Sequence, residues 1–249
     1  MKHSKPLEVF AKEWRRHLNN LGYRLFPGHC LLCNRPSGRK LDLCADCETD
    51  LPFNKPACQR CALPLPTVAL DNALCGRCQA SPPAFQCAVV PLLYEFPVDR
   101  LVNAFKHRGA FSRGALMAEI LLRELRGRNE QPQLIAPVPL HWRRQFQRGF
   151  NQAGWLARYL GRQLDIPVEQ GLFSRLRHTD HQQGQSRKQR LANLKGAFSL
   201  NKVVTGKTIA LVDDVMTTGS TLQSLAKLLN GAGASAVEVW CLVRTPLEK

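Results

Sequence analysis

A chain of 249 residues with 44% hydrophobic content is long enough for one good-sized core and a small appendage. No apolar run approaches the ~20 residues that span a bilayer, and the opening MKHSKPLEVFAKEWRRHLNN has no apolar stretch of a secretory signal; the expectation is a cytoplasmic protein without membrane insertion. A formal net charge of +16 favours a polyanionic partner, either nucleic acid or a polyphosphate substrate.

The chain reads in three parts. In residues 1–25, Leu7, Phe10, Trp14, Leu18 and Leu21 recur at helical spacing on a basic segment, which predicts an amphipathic docking helix rather than a membrane anchor. Residues 26–83 are dense in Cys and Pro and poor in apolar runs, and residues 84–249 alternate between strand-like and helix-like segments.

Ten cysteines are many for a cytoplasmic chain, where disulfides are rare. Eight of them fall in four Cys-x-x-Cys pairs: Cys30 and Cys33, Cys44 and Cys47, Cys58 and Cys61, Cys75 and Cys78, with gaps of ten and thirteen residues inside each half. Two such knuckles supply the four thiolates of a closed tetrahedral zinc site, so four knuckles predict two structural zinc ions rather than redox pairs. Metal binding would supply much of the folding energy of so short and loop-rich a segment. Each four-thiolate zinc carries a formal charge of about −2, which lowers the effective charge of the chain from +16 to about +12. Sequential sharing of the pairs and a cross-braced arrangement use the same eight ligands. Cys87 and Cys241 lie in apolar segments outside the pattern and are expected to be small buried core residues.

In the third part, Ala88 to Phe96 reads as one or two short strands, Arg113 to Leu125 as a helix and Leu134 to Leu140 as a strand. Gln152 to Leu164 reads as a helix, Ile209 to Val212 as a buried strand, Thr221 to Leu229 as a helix and Ala236 to Val243 as a strand. This alternation predicts an α/β fold with a parallel sheet flanked by helices, whose ligands bind beyond the carboxyl ends of the strands.

The stretch IALVDDVMTTGST, Ile209 to Thr221, sits where such a ligand would. Val212 is expected to end the strand, which leaves Asp213 and Asp214 at its carboxyl end. Thr217, Thr218, Gly219, Ser220 and Thr221 lead into the next helix and present backbone amides and a positive dipole end to an anion. Gly219 permits close approach or a positive φ. The carboxylates accept from sugar hydroxyls or hold a hydrated Mg²⁺, so the pattern describes a ribose 5-phosphate. It is not a Walker A loop, which needs GxxxxGK[ST].

Two basic segments are candidates for the rest of an anion site. PVPLHWRRQFQRGFNQ offers Arg143, Arg144 and Arg148 between a strand and a helix. Arg175 to Lys195 carries Arg175, Arg177, Arg187, Lys188, Arg190 and Lys195 against Asp180, a net +5, and its polar texture fits a loop that closes over an anion. A solvated basic surface explains any single one of these cations equally well. His107 in FKHRG is a weak candidate base.

The stretch from Asp213 to Thr221 resembles the signature for phosphoribosyl pyrophosphate (PRPP) in type I phosphoribosyltransferases. The chain as a whole is similar to the ComF (competence protein F), or ComF/GntX, family. The resemblance rests on the four Cys-x-x-Cys pairs, PVP…RGFNQ, Arg190, Asn193 and Gly196 to Phe198, VDDVMTTGST and the ending WCLVRT. It implies an N-terminal zinc finger on a type I phosphoribosyltransferase-like domain. It also implies a role in natural competence, where single-stranded DNA is taken up and utilised, with competence or recombination proteins as possible partners. By the resemblance, Asp213 and Asp214 are the catalytic acids that hold the ribose. Val215, Met216 and Thr217 to Thr221 complete the PRPP contacts, with Mg²⁺ on the pyrophosphate and Arg143, Arg144, Arg148, Arg187, Lys188 and Arg190 as anion ligands. A hood over the base site is expected from the zinc module or from Phe85 to Leu125. An active transferase, a noncatalytic single-strand-binding zinc protein and a PRPP-sensing regulator all fit these residues.

Overall fold

The computed structural model describes residues 28–66, 73–140, 149–175 and 196–246. The amphipathic segment expected at 1–25 lies outside them. The chain divides between Leu51 and Pro52 into two compact units.

Among its described residues, the first unit is built on the first two cysteine pairs and one short helix, α1 (Ala45–Thr49). The amide of Asn34 donates to the carbonyl of Cys30 at 2.8 Å, and Asn34 takes the left-handed conformation at φ 61°. Leu43 is fully buried, and Arg39 bridges to Glu48 at 2.5 Å.

The second unit contains α2 (Gly76–Ala80), β1 (Cys87–Val89), β2 (Leu92–Leu93), α3 (Val98–Arg108), α4 (Phe111–Arg126) and β3 (Leu134–Pro137). It continues with α5 (Gln152–Leu164), β4 (Phe173–Arg175), β5 (Phe198–Leu200), β6 (Thr208–Met216), α6 (Ser220–Gly231) and β7 (Ala236–Arg244). The strand order β1-β7-β6-β3, with β2 also on β7, makes one parallel sheet. Strands that are apolar on both sides suit this position. Ile209, Leu211, Val237, Val239 and Cys241 share a core with Leu222, Leu225, Ala226 and Leu229 of α6. Ala210 and Val212 alternate to the other face and are fully buried as well; α5 packs on β3 and β6, and α4 packs on β7.

Outside the cysteine segment, one helix and two strands were not expected. Helix α3 buries Val98, Leu101, Val102 and Phe105, spaced i, i+3, i+4 and i+7. It ends at Gly109, which has φ 60°. Strands β4 and β5 form a separate antiparallel ladder, Arg175 opposite Phe198, that brackets the basic segment. The residues of that segment between 176 and 195 lie outside the described residues.

The third and fourth cysteine pairs belong to the same unit as the sheet. Asn54, only 3% exposed, donates its side-chain amide to the carbonyls of Ala62 (2.9 Å) and Val90 (3.0 Å). Ala84 donates its amide to the Gln223 carboxamide of α6 at 2.8 Å and accepts from Asn230 at 2.7 Å. The expectation of two buried extra cysteines is half right. Cys241 is fully buried, but Cys87 is only partly so, because its strand is at the sheet edge, where the thiol meets Glu238 at 3.5 Å.

Candidate functional site

Strand β6 lies between β3 and β7 and carries both acids. It does not end at Val212: the ladder with β7 continues through Asp213 opposite Cys241, Val215 opposite Val243 and Met216 opposite Arg244. The backbone opposite stays extended to Arg244, so the acids lie inside the last turns of the strand. They remain on its carboxyl side, next to the loop that leads to α6.

Asp214 is 9% exposed and faces Lys106 of α3, whose ammonium lies 3.2 Å from its carboxylate. Asp213 accepts from the Asp214 amide at 2.9 Å. Burial, and then the neighbouring Asp214 carboxylate, push the Asp213 carboxyl up to about 8, against the partial relief given by the Asp214 amide and Lys106. The adjacent acids therefore resist carrying two negative charges together, and a cation or a set of hydroxyl donors would favour their full ionisation.

Lys106 is a site residue that the sequence reading passed over in favour of His107. His107 is exposed, whereas Lys106 turns to the acids at the end of a glycine-terminated helix. Its turn is held from a second element: Gln152, 2% exposed at the start of α5, donates to the Lys106 carbonyl at 3.3 Å. Asn151 donates to the carbonyl of Val138 at 3.3 Å, just beyond β3. The last two residues of RGFNQ thus fasten the start of α5 to the two neighbouring loops.

The loop after β6 has the form expected of an anion cradle. Gly219 takes φ 73° at the start of α6 and as N-cap offers no side chain; the Thr218 hydroxyl accepts from the Ser220 amide only at a long 3.4 Å. The hydroxyls of Thr218 and Ser220 lie 2.8 Å apart. Met216, 2% exposed, forms the floor: a Cβ on Gly219 would stand 2.9 Å from its methyl group. Gly219→Val is expected to keep the far-UV spectrum and to lose most phosphate affinity, because a β-branched residue at positive φ forces the turn to rearrange. Titration with ribose 5-phosphate checks this, and wild-type affinity would move the phosphate elsewhere.

Arg143, Arg144, Arg148, Arg187, Lys188 and Arg190 lie outside the described residues. Their flanks are placed. The chain leaves β3 at Pro137, opposite Val212, and re-enters at Asn151. Segment 141–148 is therefore bracketed by residues at the carboxyl end of the sheet.

The cysteines form two groups, Cys30 with Cys33, Cys44 and Cys47, and Cys58 with Cys61, Cys75 and Cys78; within each group all four sulfurs lie within 4.8 Å of one another. Sharing is sequential. The two halves repeat one turn: Cys58 accepts from the Ala62 amide at 2.8 Å, as Cys30 does from Asn34, and Ala62 also has positive φ, 52°. The sulfurs of Cys33 and Cys44 are 3.7 Å apart in the first group, and those of Cys61 and Cys75 are 3.6 Å apart in the second. Ligands about 2.3 Å from a tetrahedral zinc stand about 3.8 Å from one another, so both groups fit the ion. Metal analysis of the purified protein should find about two zinc ions per chain; eight freely titratable thiols in folded, metal-free protein would contradict this.

Comparison with known proteins agrees with this layout. Residues 23–79 match a double zinc ribbon domain and residues 146–249 a phosphoribosyl transferase domain. The chain is 38% identical to the DNA utilization protein YhgH of Escherichia coli (strain K12), over 88% of this chain and 98% of that one. It is 38% identical to competence protein F of Haemophilus influenzae, over 82% of this chain and 91% of that one. Among solved structures it is loosely similar to an adenine phosphoribosyltransferase from Leishmania tarentolae, with 13% identity, a TM-score of 0.35, and coverage of 55% of this chain and 73% of that one.

Proposed function

The chain belongs to the family of DNA utilization protein YhgH and competence protein F, and from that premise we propose that it binds PRPP at the carboxyl end of β6 while it acts in the cytoplasm on incoming single-stranded DNA. The observation that carries the reading is the pairing of the Asp213–Asp214 acids, faced by Lys106, with a helix start at a positive-φ Gly219. Asp213 and Asp214 accept from the ribose hydroxyls. The amides from Thr217 to Thr221 hold the 5-phosphate at the positive end of α6. Arg143, Arg144, Arg148, Arg187, Lys188 and Arg190 meet the pyrophosphate. Oxygen donors of this kind suit Mg²⁺, which when bound neutralises charge on the pyrophosphate.

These contacts serve both a transferase, which displaces pyrophosphate through a ribo-oxocarbenium-like state, and a regulator that senses PRPP. Incubation with PRPP and Mg²⁺ in the presence of nucleobases and single-stranded DNA separates the two. Protein-dependent release of pyrophosphate supports the transferase, binding without release supports the sensor, and neither binding nor release contradicts the proposal.

The DNA half of the proposal rests on the names of the relatives and on the net +5 of Arg175 to Lys195. Contacts of cations with single strands release counterions, at about 0.7 log units of affinity per log unit of salt for each contact. Replacing Arg187, Lys188 and Arg190 by Gln is expected to weaken binding to all sequences alike and to flatten the salt slope by up to about 2. An unchanged slope would put the DNA surface elsewhere.

A further inference from the structure

The ending WCLVRT supplies the last residues of β7, but the role of its arginine side chain is explained neither by the ladder nor by the PRPP contacts. Its arginine, Arg244, is 3% exposed at the end of β7, and among the described residues no carboxylate pairs with it. Its partners are carbonyl groups. Nη1 donates to Met216 at 2.9 Å, to Thr245 at 2.7 Å and to Thr217. Nε donates to the carbonyl of Cys61, a ligand of the second cysteine group, at 3.3 Å. A cleft lined by Cys61, Arg77, Cys78, Thr218, Gly219 and Arg244 runs between that group and the phosphate loop.

We infer that Arg244 is a positioning residue that ties the second zinc site to the phosphate loop, so that metal in that site sets how well the loop receives a phosphate. The phosphate assignment rests on the proposed function; the mechanical link does not. A trans peptide is planar, with its carbonyl and its N–H pointing in opposite directions. When Arg244 holds the Met216 and Thr217 carbonyls, it turns the amides of Thr217 and Thr218 away from itself, outward from the packed side of the loop. One planar guanidinium reaches these carbonyls and Cys61 together, because its donors form a rigid fork; the single ammonium of a lysine does not. The arrangement also suits charge. A four-thiolate zinc carries about −2, a phosphate is an anion, and a buried cation between them is favourable to both. Loss of metal from the second site frees the Cys61 carbonyl and removes one anchor of Arg244. The first site belongs to the other compact unit.

Hydrogen exchange of the Thr245 and Gln223 amides, which donate to the loop carbonyls of Met216 at 3.0 Å and Gly219 at 2.8 Å, tests the link in full-length protein, with metal content measured in parallel. Arg244→Gln should keep both zinc ions and exchange these amides at least about tenfold faster, since hydrogen bonds from a charged group to the loop are lost. Emptying the second site with Cys58→Ser/Cys75→Ser should speed the same amides, whereas Cys30→Ser/Cys44→Ser should leave them at the wild-type rate. If Arg244→Gln does not fold, Arg244→Lys serves: it keeps the charge and is expected to exchange faster all the same. Wild-type exchange in the folded Arg244 variant, or equal acceleration by both cysteine variants, overturns the inference. Ribose 5-phosphate affinity, read on the same proteins, should fall in step with the exchange. Wild-type protein that shows the exchange pattern yet binds no ribose 5-phosphate leaves the link standing and removes the PRPP reading.

Discussion

Asp213→Asn/Asp214→Asn protein is expected to lose at least about a hundredfold in PRPP affinity, because two charge-assisted acceptors for the sugar are replaced by neutral amides. The fold should hold: Lys106 loses its carboxylate partner, but the repulsion between two adjacent buried carboxylates is removed with it. Asp213 is held at about 8 by burial and then by Asp214, whereas an unfolded aspartate loses its proton near 3.9. Between those values the folded chain keeps a proton that the unfolded chain gives up. Stability of the unliganded protein therefore falls as pH rises from about 4 to about 8, and asparagine removes this contribution. The variant should melt at or above the wild-type temperature at pH 8, and its stability should fall less steeply across that window. Calorimetry and thermal melts check the two halves together. Undiminished PRPP binding would remove the acids from the site, and a lower melting temperature at pH 8 would show that they stabilise the unliganded fold.

The largest loss of stability is expected at the other end of the sheet. Glu238 of β7 is 5% exposed and ion-paired to Arg128, beside the Cys87 thiol. Burial, and then the Glu238 carboxylate, push that thiol up to about 11. Arg128→Met leaves the carboxylate buried without its cation. Breaking a buried pair from one side costs about 3–5 kcal/mol, and the partial exposure of Arg128 puts the cost near about 3. At the scaling for a chain of this size, the melting temperature should drop by roughly 6–12 °C. Arg128→Met/Glu238→Gln should recover most of the loss, because no charge is then stranded. A single variant within about 0.5 kcal/mol of wild type would mean that water already solvates Glu238.

Much of this architecture is legible in the sequence because its signals are local. Four Cys-x-x-Cys pairs announce two metal sites. A buried apolar run, two acids and a glycine-containing hydroxyl loop announce a strand that carries the acids and a helix start. The sharing of cysteines was not legible, since spacing alone fits two arrangements; the repeated turn that places Asn34 and Ala62 at positive φ makes it sequential. The length of β6 was misread because adjacent acids usually mark a strand end, yet here the partner strand β7 carries the ladder past them. Helix α3 was legible in Val98, Leu101, Val102 and Phe105 at i, i+3, i+4 and i+7, a stripe the sequence reading passed over. Lys106 and Arg244 could not be ranked among thirty-five Lys and Arg residues. What distinguishes each is a partner distant in the chain, Asp214 for one and the Cys61 carbonyl for the other.

The central claim is that this fold binds PRPP through the acids of β6 and the loop before α6. Titration of zinc-loaded, full-length protein with PRPP in the presence of Mg²⁺ measures it directly. The account predicts saturable binding of one PRPP per chain, competed by ribose 5-phosphate and strengthened as pH rises toward about 8, where Asp213 gives up its proton. Folded protein with both metals in place that gives no binding heat at any pH in that range, and no shift in melting temperature, would contradict it.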